Sequence, residues 1–580
     1  MSVPTTAPDA HHVPHQGLAS AAMSQSPPDG QPLYRDIRDY LAELERRGLL
    51  IRVERLTNKD TEVMPLVRWQ FRGLDQSQRK GWLFENLTDS RGRRFDASVA
   101  VAIAGASPQV YAAALGLASP DQINLKWLDA LSHPLAPVEV GVDRAPVKEV
   151  VITGQNLVAS GGIDMFPVTV TNPGTDVSAY FSCPVWITRD PQTGVYNVGT
   201  YRVMVKAPDR AGVMMLYGQD SRIHWQKARQ LGRPLEAVLC LSPVPALALC
   251  SATKLRQPEY EVAGALNGAP LELVPAETVD LLIPATAEIA IEGRFRTDVL
   301  EMEGPFGEYG GYTGTQDYQL LFELTAITHR RQPVLQAFIS EMPPSESSCI
   351  RKFGFEGVLW LELSKRVPHF AGVNFFEFAG SSQVLAVALK REHDRGESWM
   401  ALRLAGSAVN MSGMKWIVAV DDDIDITDLE SVFWAMAWRV QPHRDIQIMR
   451  GRPTDLDPSA APVAASFTER AYPEGLGGSQ ILIDATIKWP YPPVSLPTRE
   501  HMERARRIWE DELGLPTLRP RRPWFGYPLG YWPESWDRAT KAAVAGRYLE
   551  TGQEFAALRT KSSYFETGTV EPPDAEAPQQ

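Results

Sequence analysis

Two glutamates five residues apart, Glu303 and Glu308, flank Gly-Pro-Phe-Gly in the segment EMEGPFGEYGGYTG at 301–314. Glycines at 304, 307, 310 and 311 permit tight turns and close approach to a ligand, and Pro305 stiffens the stretch so that both acids can face one cavity. So much Gly and Pro excludes a helix and puts the acids on a loop. Crowded carboxylates raise each other's pKa, which suits a proton donor working near neutrality. Taken alone, the segment fits a solvated glycine turn better, because charged loop residues are mostly exposed. In NVGTYRVMVK (197–206), Asn197 and Arg202 begin on opposite faces of a predicted strand unless the chain bulges. A buried Arg in such an apolar run needs a carboxylate partner, although an edge-strand Arg facing solvent is the simpler alternative. PEYEVAGALNG (258–268) adds Glu259 and Glu261, which carry no signal by themselves.

The elements that must position these residues divide the chain. Residues 1–33 hold no Lys or Arg and read as a disordered Ala/Pro/Ser/His leader, and 34–146 read as an α/β region. It opens with a helix whose apolar face is Ile37, Tyr40, Leu41 and Leu44, followed by strands over 49–55 and 96–106 and a helical stretch over 107–133. Residues 147–340 are rich in strand patterns, at 147–153, 180–190, 197–206, 212–217 and 287–295, and suggest an α+β domain round a barrel-like sheet. Residues 341–470 alternate again as a C-terminal α/β domain, with a helix over 402–411, a strand over 415–425 and a helix from 427 opened by a Thr427–Glu430 capping box. A helix near 500–513 and an aromatic tail occupy 471–565, and 566–580 read as disordered. The fold class is therefore an α+β / α/β multidomain protein.

Composition narrows the classes. The 580 residues are 44% hydrophobic and 22% charged with a formal net charge of −12, an ordinary globular composition whose acidity disfavours nucleic acid. Cys183, Cys240, Cys250 and Cys349 stand far apart with no C-x-x-C pair, which excludes a zinc ribbon or disulfide framework and fits a cytoplasmic protein. The most apolar stretch, AVLCLSPVPALALCSA at 237–252, is broken by two prolines and is too short to span a bilayer, so no membrane partner is expected. No Walker loop or strand-to-helix G-x-G-x-x-G is present, which leaves a Rossmann site unsupported.

Taken together and in order, NxGxYR, PEYxxAG, EGPFGExxGY, DDDID and LIDATIKWP (482–490) resemble the UbiD family of prenylated-FMN-dependent (de)carboxylases, over roughly residues 34–515. The resemblance implies a flavin-binding split β-barrel-like domain followed by a C-terminal α/β oligomerisation domain. It implies Arg202, Glu303 and Glu308 as the catalytic network, with Glu303 donating the proton, Glu308 orienting the pair and Arg202 holding the departing carboxylate. It implies prenylated FMN bound near Asn197, Thr200, Tyr201, Arg202, Gln219, Ser251 and Glu259, and a divalent metal (Mn²⁺ or similar) on Asn197, Gln219 and Glu259. Where many relatives place a His, a gapless count lands on Gln219, with Asp220 next and His224 beyond. Cys250 and Ser251 fall where relatives contact the cofactor phosphate or K⁺.

The implied reaction is reversible, non-oxidative decarboxylation of an aromatic or unsaturated acid or its CoA thioester. Loss of CO₂ from an sp² carbon leaves a charge that side chains cannot absorb and a cofactor can. The loop MRGRPTDLDP aligns with a family loop that borders the substrate, where Arg452 and Thr454 favour a polar or anionic partner, a solvated loop Arg being an equal alternative. Ser347 and Ser348 are further candidate lining residues. An arginine cluster (Arg499, Arg504, Arg506, Arg507, Arg519, Arg521 and Arg522) reads as a solvated helix face or a CoA clamp, the first being simpler. The tail aromatics Trp524, Phe525, Tyr527, Tyr531, Trp532 and Trp536 suggest a subunit boundary in a homo-oligomer, a dimer or hexamer. A flavin prenyltransferase is the expected supplier of cofactor. The rival readings are a non-catalytic subunit of a carboxylase complex and, with less in its favour, a flavin oxidoreductase.

Overall fold

Ile37, Tyr40, Leu41 and Leu44 form the buried stripe of a helix over Ile37–Arg46, started by Asp36, whose carboxylate accepts the Arg38 and Asp39 N–H groups. The computed structural model describes residues 31–216, 218–408, 414–452, 456–462 and 477–558, with the backbone alone for 451–452. Beside this helix lies a four-stranded sheet in the order Leu50–Val53, Gly81–Phe84, Ser98–Val101 and Val334–Ala337. Its last strand is supplied from far down the chain and pairs in parallel with Ser98–Val101.

The central sheet has nine strands, antiparallel throughout. Its order runs Tyr196–Gly199, Val185–Arg189, Leu235–Leu241, Ile289–Glu303, Asp317–His329, Arg210–Val213, Val203–Ala207 and Tyr180–Phe181, with Val150–Thr153 also pairing to Asp317–His329. The strand expected over 197–206 breaks after Gly199 and resumes at Val203. Its two halves are six steps apart in the sheet order, about 29 Å in a flat sheet at about 4.8 Å per strand. Only Thr200, Tyr201 and Arg202 connect them, and four Cα–Cα steps reach at most ~15 Å. The sheet must therefore curl until its ends approach. Among the described residues no strand pair closes it, so it is barrel-like without being a closed barrel.

The long hairpin Ile289–Glu303/Asp317–His329 carries Glu303 at its end, opposite Asp317. Its tip folds into a second small hairpin, Phe306–Gly307 against Thr313–Gly314. The next domain is a five-stranded mixed sheet ordered Phe370–Phe375, Val384–Leu389, Trp416–Asp421, Gly478–Asp484 and Ile446–Arg452. It is flanked by the helices Glu346–Ser364 and Arg395–Ser407. The stretch at 237–252 divides between strand Leu235–Leu241 and helix Pro245–Ser251. Among the described residues no helix is long and apolar enough to cross a membrane. All four cysteines are free and buried.

The chain separates into two compact units, one running to Asp422 and including Val432–Thr486, the other comprising Asp423–Ser431 and the chain from Ile487 onward. In the second unit the helix expected near 500–513 is Arg499–Arg507, continued by a π-turn at Ile508–Glu512. Trp524, Phe525 and Tyr527 meet edge-on at centroid separations of 4.7 and 5.4 Å. In place of the Thr427–Glu430 capping box, the cap is Asp428, one residue on. Thr427 turns back to Asp425, and Asp428 accepts the Ser431 N–H at 3.2 Å and its hydroxyl at 2.5 Å. Asp outcompetes Thr as a cap because its carboxylate takes both donors at once.

Candidate active site

Arg202 ends the three-residue link across the curled sheet, and its guanidinium meets both acids of the hairpin tip. Nε donates to Glu303 Oε1 at 2.9 Å and Nη2 to Glu303 Oε2 at 2.7 Å, a bidentate fork. Nη1 donates to Glu308 Oε1. The side chains are 9%, 1% and 14% exposed for Arg202, Glu303 and Glu308, so the ion pairs are shielded and Glu308 is the member nearest solvent. The Phe306 ring lies 5.1 Å from the guanidinium carbon and packs on Tyr180 at 4.3 Å, closing the apolar side.

Backbone sterics explain two of the glycines. At Gly304, with φ +81°, a Cβ would lie 3.0 Å from the Thr315 carbonyl and 3.3 Å from Arg202 Nη2. At Gly307 it would lie 2.2 Å from Asn172 Nδ2 and 2.6 Å from Glu341 Cγ. That close approach is used: Gly307 N–H donates to Asp176 at 3.0 Å, and Asp176 also accepts the Asn172 N–H at 2.8 Å. Glu341 pairs with Arg68, which also donates to the Glu341 carbonyl at 2.7 Å. Asp176, Glu341 and Arg68 thus brace the tip from elements remote in sequence. Only the tertiary fold gathers them, and no local spacing marks them.

Burial lifts the Glu308 carboxyl to about 7, with Arg202 opposing the rise and Glu303 adding to it. Burial also works against the Arg202 charge, but Glu308 and Glu303 outweigh it and hold that pKa above its ordinary value. The site therefore holds one fixed cation, one carboxylate locked in a fork, and one that exchanges its proton near neutrality.

The second group of expected residues assembles at the start of the same link. Asn197 Nδ2 donates to Ser221 Oγ at 2.8 Å, and Thr200 and Ser251 hydroxyls meet at 2.7 Å. Tyr201 adds a phenol that burial raises to about 12, with Ser221 and Asn197 opposing the rise. Glu259, at the start of helix Glu259–Asn267, accepts the Val198 N–H at 3.2 Å, and burial lifts it to about 7. No cation pairs with it among the described residues. Gln219, just before helix Asp220–Gln230, has its amide oxygen engaged, accepting the Leu216 N–H at 2.7 Å. Asp220 pairs with Lys254 at 2.5 Å, and His224 turns to Thr188 at 3.0 Å. Ser221, which no motif flagged, is the hub of this group.

A phosphate-bound divalent cation fits these donors. They are oxygens from one carboxylate, an amide and hydroxyls, a hard set suited to Mg²⁺ or Mn²⁺ rather than zinc, and a cation would relieve the uncompensated burial of Glu259. Among the described residues no three His, Cys, Asp or Glu side chains form a metal cluster, so the rest of the shell would come from the ligand. Of the substrate candidates, Thr454 and the Arg452 side chain lie outside the described residues. The Leu456 carbonyl is 3.9 Å from where a Gly310 Cβ would stand, which brings Leu456 to the hairpin tip. Ser347 and Ser348 are buried and satisfied by Ser340 and Ser345, each at 2.9 Å, starting helix Glu346–Ser364. In the arginine cluster, Arg499, Arg506 and Arg521 pair with Glu503, Glu510 and Glu430.

Comparison with known proteins places this geometry. Residues 138–343 match the 3-octaprenyl-4-hydroxybenzoate carboxy-lyase Rift-related domain and 351–485 match the C-terminal domain of the same carboxy-lyase. The chain belongs to the UbiD family. It is similar to the UbiD-class enzyme HmfF from Pelotomaculum thermopropionicum, solved as an evolved dimeric form in complex with prFMN. The two are 32% identical over 80% of this chain and 97% of that one, with a TM-score of 0.67. The vanillic acid decarboxylase of Sedimentibacter hydroxybenzoicus in its closed form is 27% identical over 82% and 99%, with a TM-score of 0.70. A phenolic acid decarboxylase of the same organism is 29% identical over 83% of this chain and 98% of the relative.

Proposed function

We propose that this protein is a carboxy-lyase that uses prenylated FMN to release CO₂ from an aromatic carboxylic acid. The observation that carries the reading is the Arg202–Glu303–Glu308 network, a buried proton-exchanging carboxyl held beside a fixed charge at the tip of the flavin-family domain. When bound, prenylated FMN supplies the electron sink that side chains lack. Asn197, Thr200, Tyr201, Ser221, Ser251 and Glu259 would hold its phosphate end through a hard divalent cation. Gln219 is the weakest member of the ligand set, because its oxygen is already engaged.

The geometry supports a different division of roles from the one the resemblance implied. Glu303 has both oxygens in the Arg202 fork and acts as the fixed anion that aims the guanidinium. Glu308 touches Arg202 through one oxygen, is the more exposed acid, and protonates near neutrality. Glu308 therefore delivers the proton to the ring carbon that CO₂ leaves, so that Ar–COO⁻ and H⁺ become Ar–H and CO₂, and it recovers its proton from solvent. A free acid is favoured over a CoA thioester, since three arginines of the would-be clamp are already paired with glutamates.

The test is to co-produce the chain with a flavin prenyltransferase, record native mass and absorbance, and screen hydroxybenzoic and vanillic acids for CO₂ release. Bound prenylated FMN with turnover of one acid is expected. Plain FMN with hydride transfer, or no flavin despite a working prenyltransferase, would overturn the reading.

A further inference from the structure

The charge balance at the hairpin tip is uneven. Two acids, Glu303 and Glu308, share one guanidinium, and three of its five N–H donors are spent on them. A substrate carboxylate arriving at Arg202 alone would meet the Glu303 anion already in the fork and, above about pH 7, the Glu308 anion as well.

A second cation stands beside them. Arg351, in helix Glu346–Ser364, lays its guanidinium on the ring of Tyr309, the residue after Glu308, with its carbon 4.0 Å from the ring centroid. Gly380 also approaches that ring, a Cβ there standing 3.1 Å from Tyr309 Cδ2. Arg351 Nη1 is buried and has no hydrogen-bond partner, and among the described residues the side chain pairs with no carboxylate. Other largely buried arginines behave otherwise: Arg68, Arg330 and Arg439 each meet an acid. Arginine does not shed its charge on burial, so a buried guanidinium nitrogen left without a partner is costly unless a ligand supplies one. Its field already reaches Glu308, where it opposes the effect of burial.

We propose that Arg351 Nη1 receives a carboxylate oxygen of the substrate, making Arg351 the binding donor for the aromatic acid and Tyr309 the positioning residue that holds the guanidinium plane. With Arg351 counted, two cations face two acids, and one incoming carboxylate finds an uncommitted partner. The class of ligand rests on the decarboxylase reading; the vacancy does not.

Calorimetric titration of the flavin-loaded enzyme with benzoate and with neutral benzamide tests the assignment. Wild type is expected to prefer benzoate, and Arg351→Gln to weaken benzoate about 10- to 100-fold, the range of a charge-assisted hydrogen bond, while changing benzamide by less than about threefold. Arg351→Lys should restore part of the loss. Tyr309→Leu, which leaves the charge in place and frees its plane, should weaken benzoate about 3- to 10-fold and serves should Arg351→Gln fail to fold. Unchanged benzoate affinity in Arg351→Gln, or in Tyr309→Leu where only that variant folds, overturns the proposal, as does a wild type indifferent to the benzoate charge. An enzyme that binds benzoate through Arg351 yet releases CO₂ from no aromatic acid would instead sink the decarboxylase reading alone.

Discussion

Glu308 is where pH acts on this protein. Its carboxyl is raised to about 7, chiefly by burial, so the form able to donate a proton prevails below that value. We expect kcat/KM to fall as pH rises above about 7, and Glu308→Gln to cost ~10²–10⁴-fold in turnover while flavin stays bound. A pH profile flat to 9, or wild-type turnover in the variant, would remove Glu308 from the role. Stability moves in the same direction. A folded-state pKa raised above 4.5 means that the native protein holds this proton after the unfolded chain has lost it. The stabilisation is complete below about 4.5 and disappears as pH rises to about 7. Denaturant titration should therefore show flavin-free wild type losing stability relative to Glu308→Gln across that window. At the other end of the link, Glu259→Ala or chelation should let flavin wash out on desalting, read as lost absorbance; full retention after both would separate Glu259 from any metal. These acids and Arg202 were legible because short motifs carry them in an order that resembles a known family, although each motif alone fits a solvated turn or an edge strand. Asp176, Glu341, Arg68 and Arg351 were not, since they reach the tip from separate segments and each looks ordinary in its own.

At the scale of elements, the hairpin tip is set by what surrounds it. A Cβ at Gly307 would stand 2.2 Å from Asn172 Nδ2, with the Arg68–Glu341 pair behind it. Gly307→Ala should cost about 1–3 kcal/mol by overpacking and at least about tenfold in turnover, measured by denaturation and CO₂ release. Gly310→Ala, whose nearest neighbour would be 3.9 Å away, should stay within about 0.5 kcal/mol of wild type. If both variants behave alike, the brace is not what shapes the tip. Strands and helices were mostly readable from periodicity, and the misses have particular causes. The run at 197–206 reads as one strand because nothing in its pattern tells of the crossing at Thr200–Arg202. Thr427 lost its cap to Asp428 because the two stand side by side and the carboxylate is the better acceptor.

For the whole molecule, the aromatic unit after Ile487 leaves Tyr531, Trp532 and Trp536 at 49%, 39% and 41% exposure. Such rings suit a contact between copies of the chain, and we propose that this unit mediates homo-oligomerisation. Changing Trp532 and Trp536 together to Ser should lower the mass found by light scattering without altering flavin binding; an unchanged mass would assign the rings to packing within one chain. The curl of the central sheet was suggested by its strand-rich texture, but its cause lies in a link too short to join the two halves any other way.

That link has a further consequence. No backbone ladder stitches the seam of the curled sheet among the described residues, yet Arg202, on the strap that spans it, grips the far end of the central hairpin through Glu303 and Glu308. The catalytic charges thus also act as the buckle of the fold. The girth of the sheet and the spacing of the reacting groups cannot be varied separately, and one residue inserted between Gly199 and Arg202 would slacken both together.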